Sequence, residues 1–185
     1  MKSILSLVFV LAAAPTFAQM SGQAPAADPL SRFLKTAQDG VKNNIVRSAE
    51  KLDEADYGFR PAGVAAEVRT FGQFMGHIAN ANYAYCSRAK GEPNPNKADF
   101  EKVTAKADLV KALNEAFAYC DGVYGSLTDA KATTLMTVPG PNNTTRQIPA
   151  AAPLISNLSH NNEHYGNLVT YLRAKGIVPP SSERR

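Results

Sequence analysis

Apolar residues return every three or four positions in four stretches of this chain, and the gaps between those stretches are rich in Pro, Gly and Asn. Leu30, Phe33, Leu34, Ala37, Val41, Ile45, Ala49 and Leu52 trace one face of a first amphipathic helix. Asp28-Pro29 just ahead of it reads as an N-cap acid followed by a proline at the first helical position. The turn formers of Asp53–Arg69 predict a loop. Thr70 and Gln73 then form a capping box, followed by Phe71, Phe74, Ile78, Ala81 and Tyr85 on a second helix that ends near Lys90-Gly91. Leu109, Leu113, Ala116, Phe117, Cys120, Val123, Tyr124 and Leu127 predict a third helix. Thr133–Val138 and Thr144–Ile148 flank Pro-Gly-Pro-Asn-Asn and allow two short strands. A fourth helix runs from about Ala151, with Leu154, Leu158, Tyr165, Leu168, Val169 and Leu172 on its apolar face, to Arg173, Lys175 and a C-cap Gly176. Four helices with no substantial sheet predict an all-α fold, a four-helix bundle.

The N-terminus changes the picture of where the bundle works. Lys2, the apolar run Ile4–Ala14 and the small-x-small triplet Thr16-Phe17-Ala18 read as a signal peptide over residues 1–18. Residues 19–27 show no periodicity and read as a flexible leader, so the bundle domain is expected over 28–180. The run is too short for a bilayer anchor, which needs roughly 18 apolar residues. The expectation is an exported protein, periplasmic or secreted, with no membrane attachment after cleavage. With 185 residues, 44% of them hydrophobic, the chain fits one domain with a sizeable core. The formal net charge of +4 comes from cations spread among acids, without a basic stripe, which argues against nucleic acid as a partner.

The candidate chemistry lies in the only three histidines. His160 and His164 are four apart on the fourth helix, about 40° apart around its axis and one turn along, so both rings can aim at one atom. His77 lies on the second helix between Phe74 and Ile78, facing inward. Three imidazoles on facing helices suit a divalent ion (zinc, nickel, copper or iron) and leave a position open for water, as a catalytic rather than a closed structural site does. Asn157, Asn167 and Tyr171 fall within about 40° of the line between the two histidines of the fourth helix, which makes the asparagines candidate partners for imidazole N–H groups. Glu163 falls roughly 80° off that line, a poor fourth ligand. Glu163 and Tyr171 are the two weak candidates for a general acid or base. There is no His-Glu-x-x-His, the signature of zincin proteases.

The run Arg-Thr-Phe-Gly-Gln-Phe-Met-Gly-His-Ile-Ala-Asn-Ala-Asn-Tyr at 69–83 and Asn-Leu-Ser-His-Asn-Asn-Glu-His-Tyr-Gly-Asn-Leu at 157–168, with Asp-Tyr-Gly-Phe-Arg-Pro at 56–61, resemble the DinB/YfiT superfamily. The resemblance implies an up-down-down-up bundle with His77, His160 and His164 holding a divalent metal at one end of the core. Its better understood members are metal-dependent thiol transferases and a thiol-dependent isomerase, and others are described as metal-dependent hydrolases. Two readings follow: a metal-dependent enzyme of hydrolase or thiol-transferase type acting on a small-molecule substrate, or a non-catalytic bundle that binds metal or a small ligand. A homodimer is open to either. The implied order also makes the second and third helices parallel, which puts Cys86 and Cys120 at the same end. They are then either bridged or two buried thiols.

Overall fold

A computed structural model of the chain describes residues 27–183. The expected signal peptide and all but the last residue of the expected leader lie outside the described residues. Four long helices, α1 (Pro29–Lys51), α2 (Phe71–Lys90), α3 (Lys106–Gly125) and α5 (Ala152–Ala174), make the bundle. A one-turn helix, α4 (Asp129–Ala132), and an antiparallel hairpin, β1 (Leu135–Pro139) with β2 (Thr145–Pro149), fill the stretch between α3 and α5. The strands fall within two residues of where the turn chemistry placed them, and α3 starts three residues earlier than its first periodic leucine.

Contacts between named residues set the helix directions. α2 and α3 are parallel: Cys86 and Cys120, late in each helix, are bridged with Cα atoms 5.4 Å apart. α3 runs against α1, with Lys106 Nζ donating to the carbonyls of Glu50 and Leu52 at 3.0 and 2.7 Å, and Lys42 paired with Asp121. α5 runs against α2, because Asn82 meets Asn157 and Asn161 while His77, nearer the start of α2, meets His160 and His164. α1 and α2 each pack against α3 and α5, so the order is up-down-down-up.

The core is split into two apolar clusters. One is built around Ile45, Phe71, Met75, Ile78, Leu109, Phe117 and Leu168, the other around Leu34, Tyr124, Leu154 and the Cys86–Cys120 bridge. Between them lies a layer of buried amides. Asn82 Oδ1 accepts from the Nδ2 groups of Asn157 and Asn161 at 3.0 and 3.2 Å, and Tyr124 Oη donates to the Leu154 carbonyl at 2.6 Å and lies 3.1 Å from Asn157 Oδ1. Each amide found a partner on another helix, which is what makes its burial tolerable.

One expectation fails at the start of α1. Asp28 does not cap its own helix; it sits at φ 56° and its side chain makes no cap bond to α1. The cap comes from α4 instead. Asp129 accepts from the N–H groups of Ser31 and Leu30 at 2.7 and 3.1 Å, while Asp28 Oδ1 accepts from the N–H of Asp129 at 2.8 Å. Two carboxylates on distant segments cap each other's helices, and the local pattern Asp-Pro holds no trace of the exchange.

Candidate metal centre

The Thr70 hydroxyl accepts from the Gln73 N–H, and Gln73 Oε1 accepts from the Thr70 N–H, so the start of α2 is set by a complete capping box. That places His77 inside the second turn, half-buried, facing α5. From α5, one turn apart, come His160, half-buried, and His164, buried. The three rings bring their Nε2 atoms together: His160 Nε2 lies 3.1 Å from His77 Nε2 and 3.0 Å from His164 Nε2. Nitrogens bonded tetrahedrally to one zinc at about 2.0–2.1 Å stand roughly 3.3 Å apart, so the cluster can hold a metal ion with adjustments of a few tenths of an ångström.

Electrostatics favour the same use. Burial, reinforced by the neighbouring His160 and His77 and by Arg69, pushes the His164 imidazole down to about 4. Burial, then His77, also lowers His160. Both rings are therefore neutral near pH 7, with a lone pair available for a cation. Phe74 stands 5.5 Å from His164, ring centre to ring centre, and Tyr85 5.5 Å from His160, so aromatic faces wall the cluster.

The backs of the rings differ. His77 Nδ1 lies 2.8 Å from Glu101 Oε1, and Glu101 Oε2 accepts from Arg69 Nε at 2.7 Å. Burial by itself raises the Glu101 carboxyl, but Arg69 and His77 outweigh it and hold it below its ordinary value. His164 Nδ1 meets Asn167 Nδ2 at 3.4 Å. A lone pair on His164 Nε2 requires the proton on Nδ1, and the Asn167 amide then presents its oxygen, an exchange of two nearly isosteric ends. His160 Nδ1 is buried without a partner among the described residues.

The structure thus brings together His77, His160, His164 and Asn167. It does not bring in Asn157, whose amide belongs to the buried layer with Asn82 and Tyr124. Tyr171 is also withdrawn: its hydroxyl donates to the Arg69 carbonyl at 2.6 Å, and burial raises its pKa, so it is no ready acid or base. Glu163 is exposed, on the shoulder of α5. Glu101 and Arg69 carry no sequence signal, lying in irregular connections. One hint was available. Gly76, inside a helix and next to His77, marks a close backbone approach. In the structure a Cβ there would stand 2.2 Å from the Phe100 carbonyl oxygen, because the segment that brings in Glu101 crosses α2 at that point.

A bundle of this order with three converging imidazoles defines a class of helical proteins able to hold one metal ion in the core. The sequence profile of the DinB superfamily matches residues 39–168, and the chain belongs to that superfamily. No curated protein sequence matches it. Among solved structures it is similar to a DinB-like protein from Bacillus cereus ATCC 10987, with 17% identity, TM-score 0.66, and coverage of 80% of this chain and 95% of that one. A DinB-like protein from Bacillus subtilis is 19% identical with TM-score 0.62, covering 83% and 99%. A mycothiol-dependent maleylpyruvate isomerase is 16% identical with TM-score 0.57, covering 75% of this chain and 60% of the isomerase. At these identities the likeness is one of fold.

Proposed function

We propose that this chain is an exported metal-dependent enzyme of hydrolase or thiol-transferase type, holding one zinc, nickel or iron ion on His77, His160 and His164 and acting on a small molecule. The observation that carries the reading is the meeting of three Nε2 atoms from two antiparallel helices, with those of His77 and His164 both within 3.1 Å of His160 Nε2. A divalent ion in such a site supplies Lewis acidity, which generates a water or thiol nucleophile near neutral pH. The chain's own residues hold His160 and His164 neutral by burial and fix His77 through Glu101. With Tyr171 and Glu101 both engaged, Glu163 is the remaining candidate to move a proton at the rim. The fold shared with a mycothiol-dependent isomerase supports the thiol branch. The Lys2-led apolar run and Thr16-Phe17-Ala18 support export, and the first residue of the mature protein is expected to be Gln19.

The same engagement of Tyr171 and Glu101 favours a second reading, a bundle that binds metal or a small ligand without turnover. Metal analysis tests what the two share. One ion per chain is expected, and His77→Ala should lose as much of it as His164→Ala, because either leaves two ligands where such a site needs three. Unchanged metal content in His77→Ala overturns the three-ligand site. Metal-loaded protein assayed on ester, amide and thiol-transfer substrates separates the readings: chelator-sensitive turnover supports the enzyme, and its absence on every class supports the binder.

A further inference from the structure

We propose that Glu101 is a positioning residue of the metal centre: clamped by Arg69, its carboxylate accepts a hydrogen bond from the Nδ1–H of His77, which holds the proton on that nitrogen and keeps the Nε2 lone pair of the ring aimed at His160 and His164. The inference rests on the metal reading above and adds to it a residue outside the three ligands.

The argument starts from hydrogen-bonding capacity. A carboxylate paired with arginine only accepts, so the 2.8 Å contact between Glu101 Oε1 and His77 Nδ1 requires the proton on Nδ1. A neutral imidazole carries one ring proton, and Nε2 is then bare. The other two rings lack such control. His164 Nδ1 faces a neutral amide at 3.4 Å, and His160 Nδ1 faces no partner among the described residues. Among the described residues, Glu101 is thus the one charged side chain in hydrogen-bond contact with a ring of the cluster.

The surrounding chain is shaped to deliver it. Glu101 lies in a short 3-10 turn, Phe100–Lys102, in the connection between α2 and α3. That connection is strapped to α2 on the face of His77: Asn80 Oδ1 accepts from the Phe100 N–H at 3.3 Å and from Asn96 Nδ2 at 3.1 Å, and Asn80 Nδ2 donates to Asp99 at 3.2 Å. Gly76 provides the room, since any Cβ there would overlap the Phe100 carbonyl. From the other side Arg69 grips Glu101 Oε2, and the Arg69 carbonyl accepts from Tyr171 Oη of α5. A chain of contacts Tyr171–Arg69–Glu101–His77 therefore ties the ligand on α2 to the helix that carries the other two. Outer partners of this kind orient a ligating histidine and raise its basicity.

Two measurements on the full mature chain test the proposal. Nitrogen-15 NMR of the metal-free protein reads the His77 tautomer, expected as Nδ1–H in the wild type and in Glu101→Gln, whose amide oxygen still accepts, but shifted toward Nε2–H in Glu101→Ala. Competition titration with zinc is expected to give an affinity roughly 10- to 100-fold weaker in Glu101→Ala, with Glu101→Gln in between and the metal-free Tm of Glu101→Gln close to wild type. A wild-type His77 with its proton on Nε2 overturns the proposal whatever zinc does. Zinc affinity in both variants equal to wild type overturns the role of Glu101 alone and leaves the metal reading standing. Wild-type protein that takes up no zinc overturns the metal reading, and with it the role given to Glu101. Should Glu101→Ala not fold, Glu101→Gln and the wild-type tautomer still decide.

Discussion

Gly76 shows how much one position can hold. Glycine inside a helix costs about 1 kcal/mol relative to alanine, yet here a Cβ would stand 2.2 Å from the Phe100 carbonyl oxygen and 2.7 Å from the Glu101 nitrogen. Those are backbone atoms, which cannot rotate aside as a long side chain can. Overpacking of this kind costs about 1–3 kcal/mol, so Gly76→Ala is expected to lower the urea midpoint despite its better helix propensity, and to weaken zinc uptake by displacing Glu101. A midpoint at or above wild type would show that the connection yields freely. The convergence of His160 and His164 was legible in the sequence, because an i, i+4 pair fixes its own geometry within one helix. Asn157 and Tyr171 were misplaced by the same arithmetic. Helix counting gives a direction from the axis and nothing about the neighbour, and for these two the neighbours are Asn82 and the Arg69 carbonyl.

Among the elements, α1 and α4 illustrate a cap shared between distant segments. Burial pushes the Asp129 carboxyl up, but the N–H groups of Ser31 and Leu30 outweigh it and hold the group below its ordinary value. A carboxyl whose folded pKa is lowered stabilises the fold above its unfolded value, near 3.9, and that contribution is lost as pH falls through the lowered folded value. Asp129→Ala is therefore expected to reduce the urea midpoint at neutral pH. Asp129→Asn, which keeps an oxygen that can accept, should reduce it less and should flatten the decline on the acid side. Midpoints followed from about pH 7 to about pH 2.5 check this, since the two values bracket the carboxyl range; equal acid slopes in wild type and Asp129→Asn would rule the cap out as their source. Helix spans were legible because burial of one face imposes the 3.6-residue repeat. The start of α1 was not, because its cap is donated from 98 residues away.

At the scale of the molecule, the candidate ligands lie on two antiparallel helices, so an ion that binds only the folded arrangement draws the bundle together. Such binding contributes about 4 kcal/mol when free ligand is a thousandfold above Kd. Zinc is expected to raise Tm over that of chelator-treated protein, and His160→Ala should abolish the difference. A wild-type Tm indifferent to zinc and chelator would disconnect the cluster from the fold. The sequence by itself determined the four helices, the capping box of α2, the histidine set and the two-stranded interruption, since each follows from periodicity or from chemistry within a few residues. Its likeness to a known family supplied the helix order and the prospect of a Cys86–Cys120 bridge. Only the tertiary structure decided that Asp129 caps α1, that Asn82, Asn157 and Asn161 form a buried amide layer, and that Glu101 stands behind His77. These pairings join residues far apart in the chain, and a hydrogen bond is specified by distance and direction in space, which no local pattern records.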